Sequence, residues 1–144
     1  MPYFPHMFFI SFVHSGPKLY IAHGDSQNHN RHGSTRLHLD VTGAVNIMLY
    51  GAHLPDGQPG GALWHIFPSQ STSILRNFLR NEANAGVQGS GDPIHNQTNY
   101  LTPASLQLLA EKYGVYPFTI RQRPGDAVFI PAGCPHQVSM IGLL

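Results

Sequence analysis

Two histidines and one carboxylate have the types and spacing for metal chemistry: His38 and Asp40, two residues apart, and His136 far along the chain. Residues 35–41 (TRLHLDV) alternate polar and apolar, the period-2 pattern of a half-buried strand. Positions i and i+2 of a strand share a face. His38 and Asp40 are therefore expected to point into the interior of a barrel, with Leu37 and Leu39 pointing the other way. A later strand of the same barrel can then supply His136. Two imidazoles and a carboxylate on one triangular face leave the opposite coordination positions open. Non-haem Fe(II) oxygenases use that arrangement, because their iron must also take a chelating co-substrate and O₂.

His-x-Asp alone is a weak signal, and a second copy stands at His23-Gly24-Asp25. That copy lies in a Gly- and Asn-rich stretch and reads as a solvated turn. For His38 and Asp40 the plain alternative is a hydrogen-bonded pair on a barrel wall. His136 ends the run Pro124-Gly125-Asp126-Ala127-Val128-Phe129-Ile130-Pro131-Ala132-Gly133-Cys134-Pro135-His136, which reads as turn, strand, tight turn, histidine. In cupin-type barrels a stretch of this form delivers a metal ligand at the barrel mouth; the alternative is a histidine that merely follows a proline turn. Histidine is over-represented in the chain, with ten copies. Most of them, at least six by expectation, are surface or loop residues.

Composition narrows the classes. The 144 residues suit one compact domain, and the apolar fraction of 42% is enough for a core. A net charge of +1 with few Lys and Arg gives no broad electrostatic footprint for nucleic acid, and the same balance argues against disorder. Cys134 is the one cysteine, so neither an internal disulfide nor a Cys-rich zinc module is available. No apolar run reaches the roughly 18 residues of a membrane span. Residues 1–13 are apolar and aromatic but lack a basic start and a clear cleavage site. They read as a buried first strand, or as a start that cuts into a larger domain.

The elements that must position these residues are mostly short strands. Strands are expected over residues 8–13, 18–22, 35–41, 44–50, 62–67, 117–123 and 127–130, with 44–50 (AVNIMLY) apolar enough to be buried on both faces. Residues 23–33 and 83–91 read as loops, 51–61 as a turn-rich connection and 124–126 as a turn. A helix is expected over 71–81, capped by Ser71 or Thr72, with Ile74, Leu75, Phe78 and Leu79 at helical spacing. A second one opens with Thr102 as cap and Pro103 in the first turn, carries Leu106, Leu109, Ala110 and Tyr113, and ends at Gly114. Helices set into a mainly β chain suggest a barrel or jelly-roll core with a helical excursion. Trp64 and Phe129 are expected in that core, and His65 as a strand histidine rather than a fourth ligand.

Six blocks of sequence resemble one family. They are Gly16-Pro17-Lys18-Leu19-Tyr20, Ser34-Thr35-Arg36-Leu37-His38-Leu39-Asp40, Ala44-Val45-Asn46-Ile47-Met48, Gly61-Ala62-Leu63-Trp64-His65-Ile66-Phe67, Asp92-Pro93-Ile94-His95 and the run from Asp126 through His136 to Val138. They are similar to the Jumonji-C (JmjC) domain of the Hairless-related histone demethylases, over residues 16–138. The resemblance implies a single mainly β domain, a cupin-like double-stranded β-helix (jelly-roll barrel) with inserted helices. It implies Fe(II) held by His38, Asp40 and His136, and 2-oxoglutarate as co-substrate. It also implies removal of methyl groups from a mono- or dimethylated histone H3 lysine 9 tail in the nucleus. Thr35 matches a position whose hydroxyl often contacts the co-substrate, and Asn46 lies on the next strand facing the pocket; the alternatives are an ordinary strand threonine and a satisfied buried asparagine.

Three departures qualify what the resemblance implies. Ala62 stands roughly where many JmjC domains carry the lysine that pairs with the distal carboxylate of 2-oxoglutarate. In the Hairless-related subgroup that cation is expected on the last barrel strand, about ten residues past the final histidine ligand, whereas Leu144 follows His136 by eight. The last strand is therefore expected to be incomplete and to leave a sheet edge open. Residues 1–15 lie outside the resemblance. Two further readings stay open on sequence: a catalytically inactive JmjC fragment acting as a chromatin interaction module, and a different cupin that does not use 2-oxoglutarate.

Overall fold

The computed structural model describes residues 7–13, 16–22, 35–51, 53, 57–83 and 91–141. The expected loop at 23–33, with its His23-Gly24-Asp25 copy, lies outside them, as does most of the loop expected at 83–91. In chain order the elements are β1 (Met7–Val13), β2 (Gly16–Ala22), β3 (Thr35–His38), β4 (Ala44–Tyr50), β5 (Gly61–Ile66), α1 (Thr72–Phe78), α2 (Pro103–Tyr113), β6 (Phe118–Gln122), β7 (Ala127–Ile130) and β8 (His136–Ile141). The strands form two four-stranded sheets, in the orders β2-β1-β4-β7 and β3-β8-β5-β6. Every strand pair is antiparallel. This is the jelly-roll architecture of the cupin-like fold, with the helical excursion inserted between β5 and β6.

Alternation along the strands builds the core. Ala44 and Met48 of β4 and Val128 and Ile130 of β7 meet Ala62, Trp64 and Ile66 of β5 and Val138 of β8 in one buried cluster. Two inner faces packed in this way shed their apolar surface on each other. β4 is not buried on both faces as its apolar run suggested. Its inward residues Ala44, Asn46 and Met48 are buried, while Val45 and Ile47 between them are only partly covered and Leu49 is 52% exposed. Phe129 is likewise not a core residue: it is 71% exposed, because its neighbours Val128 and Ile130 take the inward positions of β7. On a strand that is apolar on both faces, composition does not say which face turns in.

On its other side β4 pairs with β1, Ser11 standing opposite Asn46 and Phe9 opposite Met48. Residues that lie outside the family resemblance thus cover that edge of the strand. The residues after His136 form β8, a strand the sequence pattern did not single out, placed centrally between β3 and β5.

A second apolar cluster joins Leu37, Phe67, Leu75, Phe78, Leu101 and Leu109, so the helical excursion packs on Leu37 of β3 and on Phe67, just past the end of β5. α2 follows its sequence signals closely. The Thr102 hydroxyl accepts from the Ser105 N–H at 3.2 Å, Pro103 sits in the first turn, and Gly114 closes the helix at φ 63. The first helix is less regular than expected. A tight 3₁₀ turn over Ser69–Ser71 precedes α1, and a wide turn over Leu79–Ala83 follows it. Neither Ser71 nor Thr72 caps it through a side chain: the Ser71 hydroxyl makes no capping bond, Ser71 being itself the last residue of the 3₁₀ turn, and the Thr72 hydroxyl donates back to the Ser69 carbonyl at 2.6 Å.

Two polar side chains hold the excursion in shape, Gln137 by tying it to the barrel and Asp92 by clamping it internally. Gln137 of β8 is fully buried; its Oε1 accepts from the Leu101 N–H and its Nε2 donates to the Leu101 carbonyl, both at 2.8 Å. Asp92 accepts from Arg76 Nε at 2.7 Å and from the Ile94 N–H at 2.9 Å, and pairs with His95 at 3.0 Å. Burial pushes the Asp92 carboxyl up, but the Ile94 N–H, His95 and Arg76 outweigh it and hold it at about 2, against an ordinary 3.8. A depressed folded-state value means that this clamp stabilises fully above about pH 4 and weakens as pH falls towards 2. Asp92→Asn is expected to lower stability by about 1–2 kcal/mol at neutral pH, measured by urea unfolding. The gap to the unsubstituted chain should close as the carboxyl protonates; a gap that does not change with pH would assign the loss to packing.

Candidate metal centre

β3 and β8 pair out of simple register. Thr35 stands opposite Val138 and His38 opposite His136, with an irregularity between them. Directly opposed residues of an antiparallel pair share a face. The two imidazoles consequently lie together, ring centroids 4.2 Å apart and tilted by 54°. Asp40 completes the group. The ligand atoms of His38, Asp40 and His136 all lie within 4.8 Å of one another, and Asp40 Oδ2 is 4.0 Å from His136 Nε2.

Asp40 arrives there by a route the alternation did not foresee. β3 ends at His38, so Asp40 is not on the strand but in the turn that leads to β4. Its backbone is tied to the loop that leads to His136: the Gly133 N–H donates to the Asp40 carbonyl at 2.8 Å, with Gly133 at φ 70, where a side chain is strained. Leu37 and Leu39 do point away from the triad, into the cluster beneath the helices.

Each imidazole has one nitrogen committed to the backbone. His38 Nδ1 is 2.8 Å from the Arg36 carbonyl, and His136 Nδ1 is 3.0 Å from the Cys134 carbonyl. A carbonyl only accepts, so each Nδ1 carries a proton, and in the neutral form of the ring Nε2 is the nitrogen that presents a lone pair. Orientation of a ligating imidazole by a bond from its other nitrogen is what metal sites require. Burial pushes the His136 imidazole below its ordinary range; His38 adds to this, while the Cys134 carbonyl and Asp40 pull the other way. The net direction favours the neutral ring, the form that binds a metal. Two such rings and a carboxylate, with no further ligand among the described residues, fit Fe(II) with open coordination positions.

The remaining residues expected from sequence lie at varied depths. Asn46 is buried on the inward side of β4. Thr35 begins β3 and is exposed. His65 is a buried strand histidine outside the triad; its Nδ1 lies 3.3 Å from Gln137 Nε2, and burial pushes its ring below the ordinary range. Ala62, in the place expected for a lysine, is fully buried in the core. Two site-shaping residues were not read from the sequence. The Trp64 ring stacks on His136, with centroids 6.1 Å apart and planes within 25°, and its Nε1–H donates to Gln122 Oε1 at 2.8 Å. The sequence points to Trp64 only as a core residue and does not single out Gln122. A signal existed for the latter: Gln122 follows Phe118 and Ile120 at spacing two, a polar residue on the apolar side of β6.

Comparison with known proteins agrees with this geometry. Residues 31–143 match the family model described as "JmjC domain, hydroxylase". The chain belongs to the JmjC family. Among curated relatives of this JmjC domain, Lysine-specific demethylase 3A of Gallus gallus is 36% identical over 156 residues, covering 85% of this chain and 12% of that protein. Lysine-specific demethylase 3A of Homo sapiens shows the same identity and coverage. Lysine-specific demethylase 3 of Drosophila melanogaster is 38% identical over 156 residues, again 85% of this chain but 18% of that protein. The JmjC chain thus spans less than a fifth of the length of these relatives.

Replacing His38, Asp40 or His136 by alanine is expected to lower Mn(II) affinity at least about 100-fold, measured calorimetrically, with the far-UV spectrum unchanged. A folded alanine variant that binds Mn(II) as tightly as the unsubstituted chain would strike that residue from the ligand set.

Proposed function

We propose that this chain is an Fe(II)- and 2-oxoglutarate-dependent dioxygenase domain that demethylates lysine in a histone tail, with mono- and dimethylated H3 lysine 9 as the substrate class. The observation that carries this reading is the triad, with both Nε2 lone pairs and a carboxylate facing one point in a JmjC barrel. The names of the curated relatives support the lysine demethylase part. The choice of H3 lysine 9 rests on the sequence blocks similar to the Hairless-related subgroup.

His38, Asp40 and His136 would hold the iron and leave one side of it free for ligands. Bound iron supplies O₂ activation, coupled to conversion of 2-oxoglutarate to succinate and CO₂, so that an N-methyl group is hydroxylated and lost as formaldehyde. The chain's own residues bind and orient. The backbone bonds from both Nδ1 atoms keep the imidazoles aimed, and the Trp64 ring covers His136 from the core side. Asn46, inward on β4, and Thr35, opposite Val138 on β3, are the candidate co-substrate contacts. The partner is a methylated histone tail, which places the work in the nucleus. A net charge of +1 gives no basis for sequence-specific binding to nucleic acid.

One observation favours a second reading. Ala62 is fully buried, and among the described residues no Lys or Arg belongs to the barrel core around it. An anionic co-substrate tail without a counter-ion in such surroundings binds weakly. A domain that binds metal but not 2-oxoglutarate would act as a chromatin interaction module instead.

Calorimetry separates the two. Mn(II) followed by 2-oxoglutarate is expected to give two binding events, and Asn46→Ala to weaken only the second, by about tenfold. With Fe(II), ascorbate and a dimethylated H3 lysine 9 peptide, mass spectrometry should then show loss of methyl groups. Metal binding without 2-oxoglutarate binding would establish the interaction-module reading.

A further inference from the structure

Gln122 is a buried amide in the barrel interior whose orientation is fixed from both ends. Its Oε1 accepts from Trp64 Nε1–H at 2.8 Å, and an indole only donates. Its Nε2 lies 3.0 Å from the Asn46 carbonyl and 3.1 Å from the Asp126 carbonyl, both of which only accept. The amide therefore has one permitted orientation. The same Nε2 is 3.2 Å from the side chain of Asn46. An N–H pair cannot face another N–H pair, so the Asn46 atom turned towards it is Oδ1, and Nδ2 is turned away. No acceptor among the described residues takes that Nδ2, and no fully buried side-chain nitrogen or oxygen among them lacks a partner. The Nδ2 is accordingly not sealed in the core.

We infer that Gln122 is a positioning residue that turns the Asn46 carboxamide so that its N–H pair faces the barrel cavity, selecting a carboxylate as the group bound there. A donor-only face suits an acceptor-only ligand, and a hydrogen bond to an ionised group is the stronger kind. The relay begins at Trp64, whose ring lies against His136, so the donor and the triad adjoin the same indole, while His136 itself is aimed by the Cys134 carbonyl. The inference deepens the proposed function and rests on it for the identity of the carboxylate, that of 2-oxoglutarate.

The orientation can be read without metal or co-substrate, by proton exchange of side-chain amides in a ¹⁵N-labelled chain. The Gln122 amide and the indole N–H of Trp64, the chain's single tryptophan, should exchange slowly, and the Asn46 amide quickly. The reverse pattern, with Asn46 protected, overturns the inference. The Zn(II)-loaded chain, which is redox-silent, then tests the function. Gln122→Met should leave Zn(II) affinity unchanged and weaken 2-oxoglutarate about tenfold, since the freed Asn46 amide no longer presents its donors. A folded Gln122→Met that binds 2-oxoglutarate as the unsubstituted chain does also overturns it. If Gln122→Met does not fold, the exchange pattern decides alone. If the unsubstituted Zn(II) chain does not bind 2-oxoglutarate, the co-substrate reading fails, and the exchange pattern still decides whether Gln122 orients Asn46.

Discussion

The pairing of β3 with β8 is the constraint on which the site depends. It sets His38 opposite His136, and an irregularity in the register separates that pair from the Thr35–Val138 pair. A one-residue slip would turn one imidazole to the other face of the sheet. Several independent contacts oppose such a slip. Leu37, next to His38, is fully buried under the helical excursion, and Val138, two residues from His136, is buried in the barrel core. The Phe67 N–H donates to the Pro135 carbonyl at 2.7 Å, and the Leu37 N–H to the Asn99 carbonyl at 2.8 Å, so both flanks of the pair are tied to neighbouring chain.

Polar groups in this small barrel are arranged to limit the cost of their burial. Gln122 and Gln137 are both fully buried amides, on different strands, and each uses donor and acceptor ends at once. An unpaired amide in those places would cost a few kcal/mol, a large part of the stability of a domain this size. Gln137 works outward, holding the segment before α2 as if it were a neighbouring strand. Gln122 works inward, fixing Trp64 and Asn46. The excursion and the interior wall of the site are thereby coupled to the same two-sheet frame that carries His38 and His136.

The first-sheet strands show why apolar content alone is a poor guide to depth. β4 and β7 carry apolar residues on both faces, but only one face of each meets the opposite sheet. Phe129 ends on the outside although it is the largest side chain of its strand. The smaller Val128 and Ile130 fit the inner layer, where Ala44, Ala62 and Trp64 already occupy the space. The choice of face is settled by the sum of packing across two sheets, which no window of a single strand contains.

What the sequence determined by itself were the local features. Short apolar stretches bounded by turn residues, and the alternation of residues 35–41, marked most of the strands, and a threonine, a proline and a glycine at the right offsets bounded α2, because caps and turns depend on a few adjacent residues. The types and spacing of His38, Asp40 and His136 were enough to nominate a metal triad, since i and i+2 proximity and a histidine after a tight turn are short-range properties. Only the tertiary structure decided how the triad closes. Asp40 reaches the site from a turn and not from β3, held by a bond from Gly133 nearly a hundred residues away, and both Nδ1 atoms are occupied by backbone carbonyls. Gln122 depends equally on contacts made at long range, with Trp64 and Asn46 on two other strands, one in each sheet. Hydrogen bonds of that reach exist only once the sheets have packed, and for that reason no local pattern announces them.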